Sequence, residues 1–213
     1  MADPPTRRPT APTKRASTAL PRPVSLAIDP SAIIAQHATL TGAHPITVGP
    51  LAVLHPYCKV ASTAAPVVLG QGCVVFERAV VGVGAAGAGA GGLMGLGRRE
   101  EGRASGVMLG RNVVVETGAV VEAAEVGEGT VVEAGARLGV GAVVGKFCTI
   151  TAATVIPPNS HLPDYTVVYG VSERRVDTTM QARPDLRETK MLMHGKQIDV
   201  FRKLIPNNVA KYQ

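Results

Sequence analysis

Aromatic residues make up only 3% of this 213-residue chain and tryptophan is absent, although apolar residues reach 46%. A core of that size ordinarily draws much of its burial from rings. Here Val, Ile, Leu and Ala must carry it, which suits narrow and repetitive interior sites. No apolar run approaches the roughly 20 residues that cross a bilayer, so no direct membrane insertion is expected. The opening stretch lacks the apolar h-region of a secretory signal. The three cysteines read as unpaired buried thiols, which suit a reducing, cytosolic compartment. None of the five histidines lies between residues 56 and 160.

The net charge of +6 sits on the ends. Residues 1–23 hold Arg7, Arg8, Lys14, Arg15 and Arg22 against Asp3, a balance of +4. Residues 174–213 hold nine basic and four acidic residues, and the stretch between is left at −3. A nucleic-acid-binding body would carry its own basic stripe, so no nucleic acid partner is expected. Pro4, Pro5, Pro9, Pro12, Pro21 and Pro23 rule out an amphipathic transit helix, and residues 1–23 are expected to be a disordered basic Pro/Thr-rich tail.

What the sequence does have is a repeat of six. Aliphatic leads recur at Ile28, Ile34, Leu40, Val48, Leu54, Val60, Leu69, Val75 and Val81. They resume at Leu109, Val115, Val121, Val126, Val132, Leu138, Val144, Ile150 and Ile156. Four residues after a lead the side chain is small: Ala32, Ala38, Ala52, Cys58, Cys73, Ala79, Ala119, Thr130, Ala136, Ala142, Cys148, Thr154 and Ser160, with Val113 the larger exception. Two linked positions at period six predict an all-β fold, a left-handed parallel β-helix of about six triangular coils between Ile28 and Tyr169. Each hexad gives one short strand and one corner, and coils stack about 4.8 Å apart.

The β-helix is assigned to residues 24–173. Residues 82–106, with ten glycines, read as a flexible loop ejected from a corner. Gly82–Gly92 neither opens a helix nor carries the Lys-Ser/Thr of a phosphate-binding loop. Residues 174–213 are expected to be a linker and a C-terminal α-helix, capped by Asp185, with Pro184 just outside and Pro206 as the stop. Met191, His194, Ile198, Phe201 and Ile205 lie at helical spacing.

Candidate chemistry is thin. Cys58, Cys73 and Cys148 all occupy the small inward position and read as buried hydrophobes. His37 and His55 sit at different places in their hexads, so no zinc site is expected. His55 is the best candidate for a general base, but a solvated surface histidine is the preferred reading. Glu116 and Glu133 should stack one coil apart as a solvated ladder or as a landing point for a basic partner.

The second strand of each coil carries an unusual outward column: Ile33, Val53, Val74, Val114, Val131 and Thr149. An apolar ladder of that length needs a cover. The C-terminal helix is long enough, with Ile198 and Phe201 set against the valines and its basic residues near Glu116 and Glu133. Phe76 and His55 are expected to stay free for a neighbouring chain. Val114→Asp should loosen the helix or abolish pairing. The first face is lined by glycines from Gly49 to Gly145, and Gly127→Ser is expected to do little there.

The close of the repeat, Val155–Ser160 (Val-Ile-Pro-Pro-Asn-Ser) and Thr166–Gly170 (Thr-Val-Val-Tyr-Gly), is shared by many hexapeptide-repeat proteins. The continuation Val171–Val176 and the late helix ending Phe201–Asn208 resemble the dynactin subunit 6 family. The opening hexads Ile28–Ile33 and Val48–Pro56 are similar too, so the resemblance covers roughly residues 24–210. It implies a non-catalytic structural and cargo-adaptor subunit of the dynactin pointed end, cytoplasmic and cytoskeletal, supporting dynein-driven transport along microtubules. The implied partners are a second β-helix subunit (dynactin subunit 5), the pointed-end actin-related protein and the p62-type dynactin subunit; no cofactor or metal is implied. The Gly-rich loop and the Pro-rich tail depart from the family pattern. The alternative is a hexapeptide-repeat enzyme, an acyltransferase or a γ-carbonic-anhydrase-like protein.

Overall fold

The computed structural model describes residues 25–84, 106–170 and 173–212. The expected tail 1–23 and all but the edges of the 82–106 insertion lie outside the described residues. Three parallel sheets form the faces of a left-handed triangular prism. The first face stacks β1 (Leu26–Ile28), β4 (Ile46–Val48), β7 (Val67–Leu69), β10 (Val107–Leu109), β13 (Glu125–Val126), β16 (Val143–Val144) and β19 (His161–Leu162). The second stacks β2 (Ile33–Ile34), β5 (Val53–Leu54), β8 (Val74–Val75), β11 (Val114–Val115), β14 (Val131–Val132), β17 (Thr149–Ile150) and β20 (Thr166–Tyr169). The third stacks β3 (Thr39–Gly42), β6 (Lys59–Ser62), β9 (Val80–Val81), β12 (Val120–Val121), β15 (Arg137–Leu138) and β18 (Val155–Ile156).

The register is the one the leads dictate. Val53, Val74, Val114, Val131 and Thr149 are aligned coil over coil. Every lead from Ile34 to Ile156 is buried, and Ile28 is half-buried at the open lower end. The small column is buried with them up to Thr154, Ser160 near the top is half-buried, and Val113 is accommodated at 0% exposure. Inward rows of aliphatics alternating with small residues fill a prism too narrow for rings, which explains the scarcity of aromatics. The repeat runs further than the eighteen leads, because Leu162 and Val168 are also buried in step and begin a seventh coil.

The corners explain the turn residues. Between the first and second faces Leu51, Gly72, Asn112, Gly129, Phe147 and Tyr165 all have positive φ. A left-handed residue costs about 1 kcal/mol when it is not glycine. In return each such amide reaches the coil before it: Phe147 N–H donates to Glu128 O and Tyr165 N–H to Lys146 O, both at 2.8 Å.

Each end of the prism is finished differently. Within the stack, the residues before and after a lead donate upward, as Val143 N–H does to Ser160 O and Gly145 N–H to Leu162 O. In the topmost strands β18 and β19 the residue after the lead is Pro157 or Pro163, which has no N–H to offer another coil. The remaining top strand, β20, is covered by an antiparallel strand β21 (Glu173–Val176). At the bottom, Asn207 serves β2: its Oδ1 accepts from Ile34 N–H at 3.1 Å and its Nδ2 donates to Ala32 O at 3.0 Å. Asn208 N–H donates to Ile34 O, and Tyr212 donates its hydroxyl to Ala38 O at 2.6 Å. Val209 plugs the core.

Two expectations for the tail are corrected. Residues 174–184 are not a plain linker, because they contain β21 and a short helix α1 (Thr178–Ala182) whose first turn is capped by Asp177. The long helix α2 runs Pro184–Leu204, with Arg183 at the cap position and Pro184 inside the first turn. Asp185 is therefore not the cap. It pairs with Arg183 instead, and proline's fixed φ and missing N–H suit the first helical position.

Candidate interaction surface

Helix α2 lies along the second face. Its 21 residues span about 31 Å, against about 29 Å for the six steps of that face. Ile198 is 3% exposed and closes over Ile33, Val53 and Val74, with Leu51, Phe76, Phe201 and Ile205 around them. The helix also bonds to the corner. His194 Nε2 lies 2.7 Å from Gly72 O, and since a carbonyl only accepts, Nε2 carries the proton. Lys190 Nζ donates to Gly129 O at 2.9 Å, and its burial there lowers its pKa. Asn112 Nδ2 donates to Met191 Sδ at 3.3 Å. Further up, the Arg187 guanidinium stands 5.5 Å over the Tyr165 ring.

These anchors were not legible as such. His194 and Met191 read as apolar positions of the helix, and their partners, the Gly72 carbonyl and the Asn112 side-chain amide, belong to corner residues far off in sequence. A polar residue on the apolar stripe, such as Lys190 one step before Met191, is the signal that could have marked them.

The nine residues singled out from the sequence fall into two groups. Ile33, Val53, Val74 and Ile198 are buried inside the chain's own helix–sheet joint, with Phe201 at its edge. Val114 and Val131 are only half-buried. Phe76 is shared, since it flanks the joint and also lines the open side.

His55 corrects the sequence reading. It is neither solvated nor left free: it is 7% exposed, with its ring stacked on Phe76 at 4.5 Å and met edge-on by Phe201 at 4.8 Å. Among the described residues its Nε2 has no hydrogen-bond partner. Burial lowers its pKa, and the nearby Glu77 carboxylate opposes this more weakly. The helix places its ring, Phe201, over the site that the sequence left open.

Beside the helix a cleft of about 490 Å³ remains, floored by Val114 and Val131 and walled by Met191, Met193 and Gln197. Glu116 borders it, and Glu133 follows in the next coil. The basic residues of α2 do not reach these two carboxylates: among the described residues, the ion pairs are Arg111–Glu128 and Arg183–Asp185. Glu133 accepts from Ala152 N–H at 3.0 Å. On the first face a shallow groove of about 310 Å³ runs beside Val68, Met108 and the glycine column.

That column is not a permissive surface. A Cβ on Gly127 would lie 2.5 Å from the backbone carbon of Gly145, and one on Gly145 would lie 2.5 Å from Asp164 N. The expectation that Gly127→Ser does little is therefore overturned: the glycines let successive corners approach each other.

The thiols are placed for packing. Burial pushes Cys58 and Cys73 up to about 12 and raises Cys148 as well. Neutral thiols are poor nucleophiles and poor metal ligands. Among the described residues no three of His, Cys, Asp and Glu gather at one point.

No family model matches this chain. Three curated proteins called dynactin subunit 6 align along most of it. The one from Nematostella vectensis is 25% identical over 188 residues, 87% of this chain and 91% of the relative. The one from Xenopus tropicalis is 24% identical, covering 84% and 81%. The one from Danio rerio is 29% identical, covering 86% and 85%. The resemblance to dynactin subunit 6 that the closing coil and tail suggested thus extends over most of the chain. Two solved structures share the fold. A hexapeptide transferase family protein from Anaplasma phagocytophilum has a TM-score of 0.56 at 14% identity, over 87% of this chain and 95% of that one. A putative acetyltransferase from Bacillus cereus has a TM-score of 0.50 at 17% identity, over 88% and 99%.

Proposed function

We propose that this chain is a non-catalytic structural subunit of a dynactin-type complex, acting in the cytoplasm on the cytoskeleton. The observation that carries the reading is likeness to dynactin subunit 6 from three animals over 84–87% of the chain. In that role it sits at the pointed end of the actin-related filament. It joins a second β-helix subunit, the pointed-end actin-related protein and the p62-type dynactin subunit, and supports cargo attachment for dynein. The chemistry of the side chains agrees with a scaffold. The cysteines are buried and held neutral, and His55 is shut between two rings, where it cannot meet a substrate hydroxyl or amine. The likeness to transferases at 14% and 17% identity is a likeness of fold and carries no activity to this chain.

Purification of the tagged chain from its native cytosol, followed by mass spectrometry, tests the reading. Recovery of dynactin components in fixed ratio is expected. A homotrimer without them, transferring an acetyl group from acetyl-CoA or hydrating carbon dioxide, would overturn it.

A further inference from the structure

Helix α2 hides only part of the apolar ladder on the second face. Ile33, Val53 and Val74 are sealed beneath it, whereas Val114 and Val131 stay half-exposed in the cleft beside Met191 and Met193. We infer that this cleft docks a basic amphipathic helix from another polypeptide. Its apolar stripe lies on Val114, Val131, Phe76 and Met193, and its Lys or Arg side chains meet Glu116 and Glu133. The inference deepens the assembly role proposed above and rests on it for the source of that helix.

Three observations define the occupant. The first is charge. Glu116 and Glu133 follow Val115 and Val132, which are aligned in successive coils, so the carboxylates form a column that starts with Glu116 on the border of the cleft and continues one coil on with Glu133. Neither has a cation among the described residues. Successive coils are about 4.8 Å apart and successive helix turns about 5.4 Å, so cations spaced i, i+4 on a helix parallel to the prism axis meet both. The second is the backbone. Strands β8, β11 and β14 are paired on both edges. An extended segment laid over this face would find no free amide or carbonyl, whereas a helix satisfies its own. The third is the far wall. Lys190, Met193, His194 and Gln197 line the cleft at i, i+3, i+4 and i+7 of α2, the ridge against which a second helix packs. Met193, 58% exposed, and Met191 can adapt to its side chains. The chain's own residues 1–24 carry five basic residues, but six prolines interrupt them, which suits a helix poorly.

A photo-crosslinking residue in place of Met193, with the tagged chain expressed in its native cytosol, tests this. Because Met193 is largely exposed, folding is not at stake. The expected product is a cross-link to a partner segment with helical spacing of apolar residues and at least two Lys or Arg on one flank. Glu116→Lys combined with Glu133→Lys should lower its yield by about tenfold, as expected for reversing charges at an interface. Thermal unfolding of that variant serves as a check on fold. A cross-link to residues 1–24 of the same chain, to a second copy, or to an acidic or extended segment would overturn the inference. So would an absence of cross-links while dynactin components still copurify, an outcome that leaves the assembly role standing. A basic helix cross-linked without any dynactin component would do the reverse.

Discussion

Gly127→Ala probes what the glycine column does. An added methyl would stand 2.5 Å from Gly145 C, 2.6 Å from Gly145 O and 2.7 Å from Lys146 N. All three are backbone atoms of the next coil. That coil is held in place, since Gly127 N–H donates to Val144 O at 2.8 Å. Neither side chain rotation nor a local slide relieves the contact. The coils must separate, and overpacking of this kind costs about 1–3 kcal/mol. Against it stands the stiffer unfolded chain of an alanine variant, which contributes about 0.4–1 kcal/mol in favour of folding. At mid-range, about 2 kcal/mol less about 0.7 kcal/mol, the net expectation is a loss of about 1.3 kcal/mol, or a melting temperature lower by roughly 3–5 °C for a chain of this length. Gly195→Ala is the control. Gly195 lies in α2 with nothing among the described residues within 4 Å of the place a methyl would take, so alanine should stabilise by about 0.5–1 kcal/mol. Thermal melts followed by circular dichroism measure both. A Gly127→Ala chain melting at or above the parent temperature would refute the claim that the column is a close-approach device.

His55 is held neutral in the fold, so its folded pKa lies below the ordinary 6.5. Between that lowered value and 6.5 the unfolded chain binds more protons, so stability should fall as pH drops through this window; urea midpoints at stepped pH should show it, and His55→Phe should flatten the slope. Asn207→Ala removes both side-chain bonds that Asn207 makes at the edge of β2; it should cost about 1–3 kcal/mol and speed amide exchange at Ile34 while leaving the middle coils protected. Cys58 and Cys73, pushed up to about 12, should resist iodoacetamide at neutral pH in the native protein and react only on unfolding, as read by mass spectrometry.

The coil register was legible because the interior of a narrow prism tolerates few residue types, and the same types recur at every sixth position. The stripe of α2 was legible for a similar reason: Ile198 and Phe201 have no other way to leave water. What escaped depended on how far a helix reaches across a face. Nothing in the hexad around His55 says that Phe201 will close over it. The glycine column misled because a strand pattern tells which residues point outward, not how closely the next corner passes. Pro157 and Pro163 stand at ordinary repeat positions, and their stopping role appears only once the missing N–H is seen to face upward. Asn207 and Tyr212 bond to Ile34 and Ala38, 173 and 174 residues away in sequence, a distance no local pattern spans.

That last contact sets an order of events during synthesis. Each new coil can pair with the one before it as it leaves the ribosome, so the prism grows upward from the coil of β1, β2 and β3. The lower edge of β2, however, waits for Asn207 and Asn208, which emerge only after every coil and the whole of α2. Until then a nascent chain carries an open strand edge, the kind of surface that recruits other strands. Chains interrupted before residue 207 keep that edge for as long as they exist. They should therefore be sticky in a way the finished molecule is not, and chaperones that recognise bare strand edges would tell the two apart.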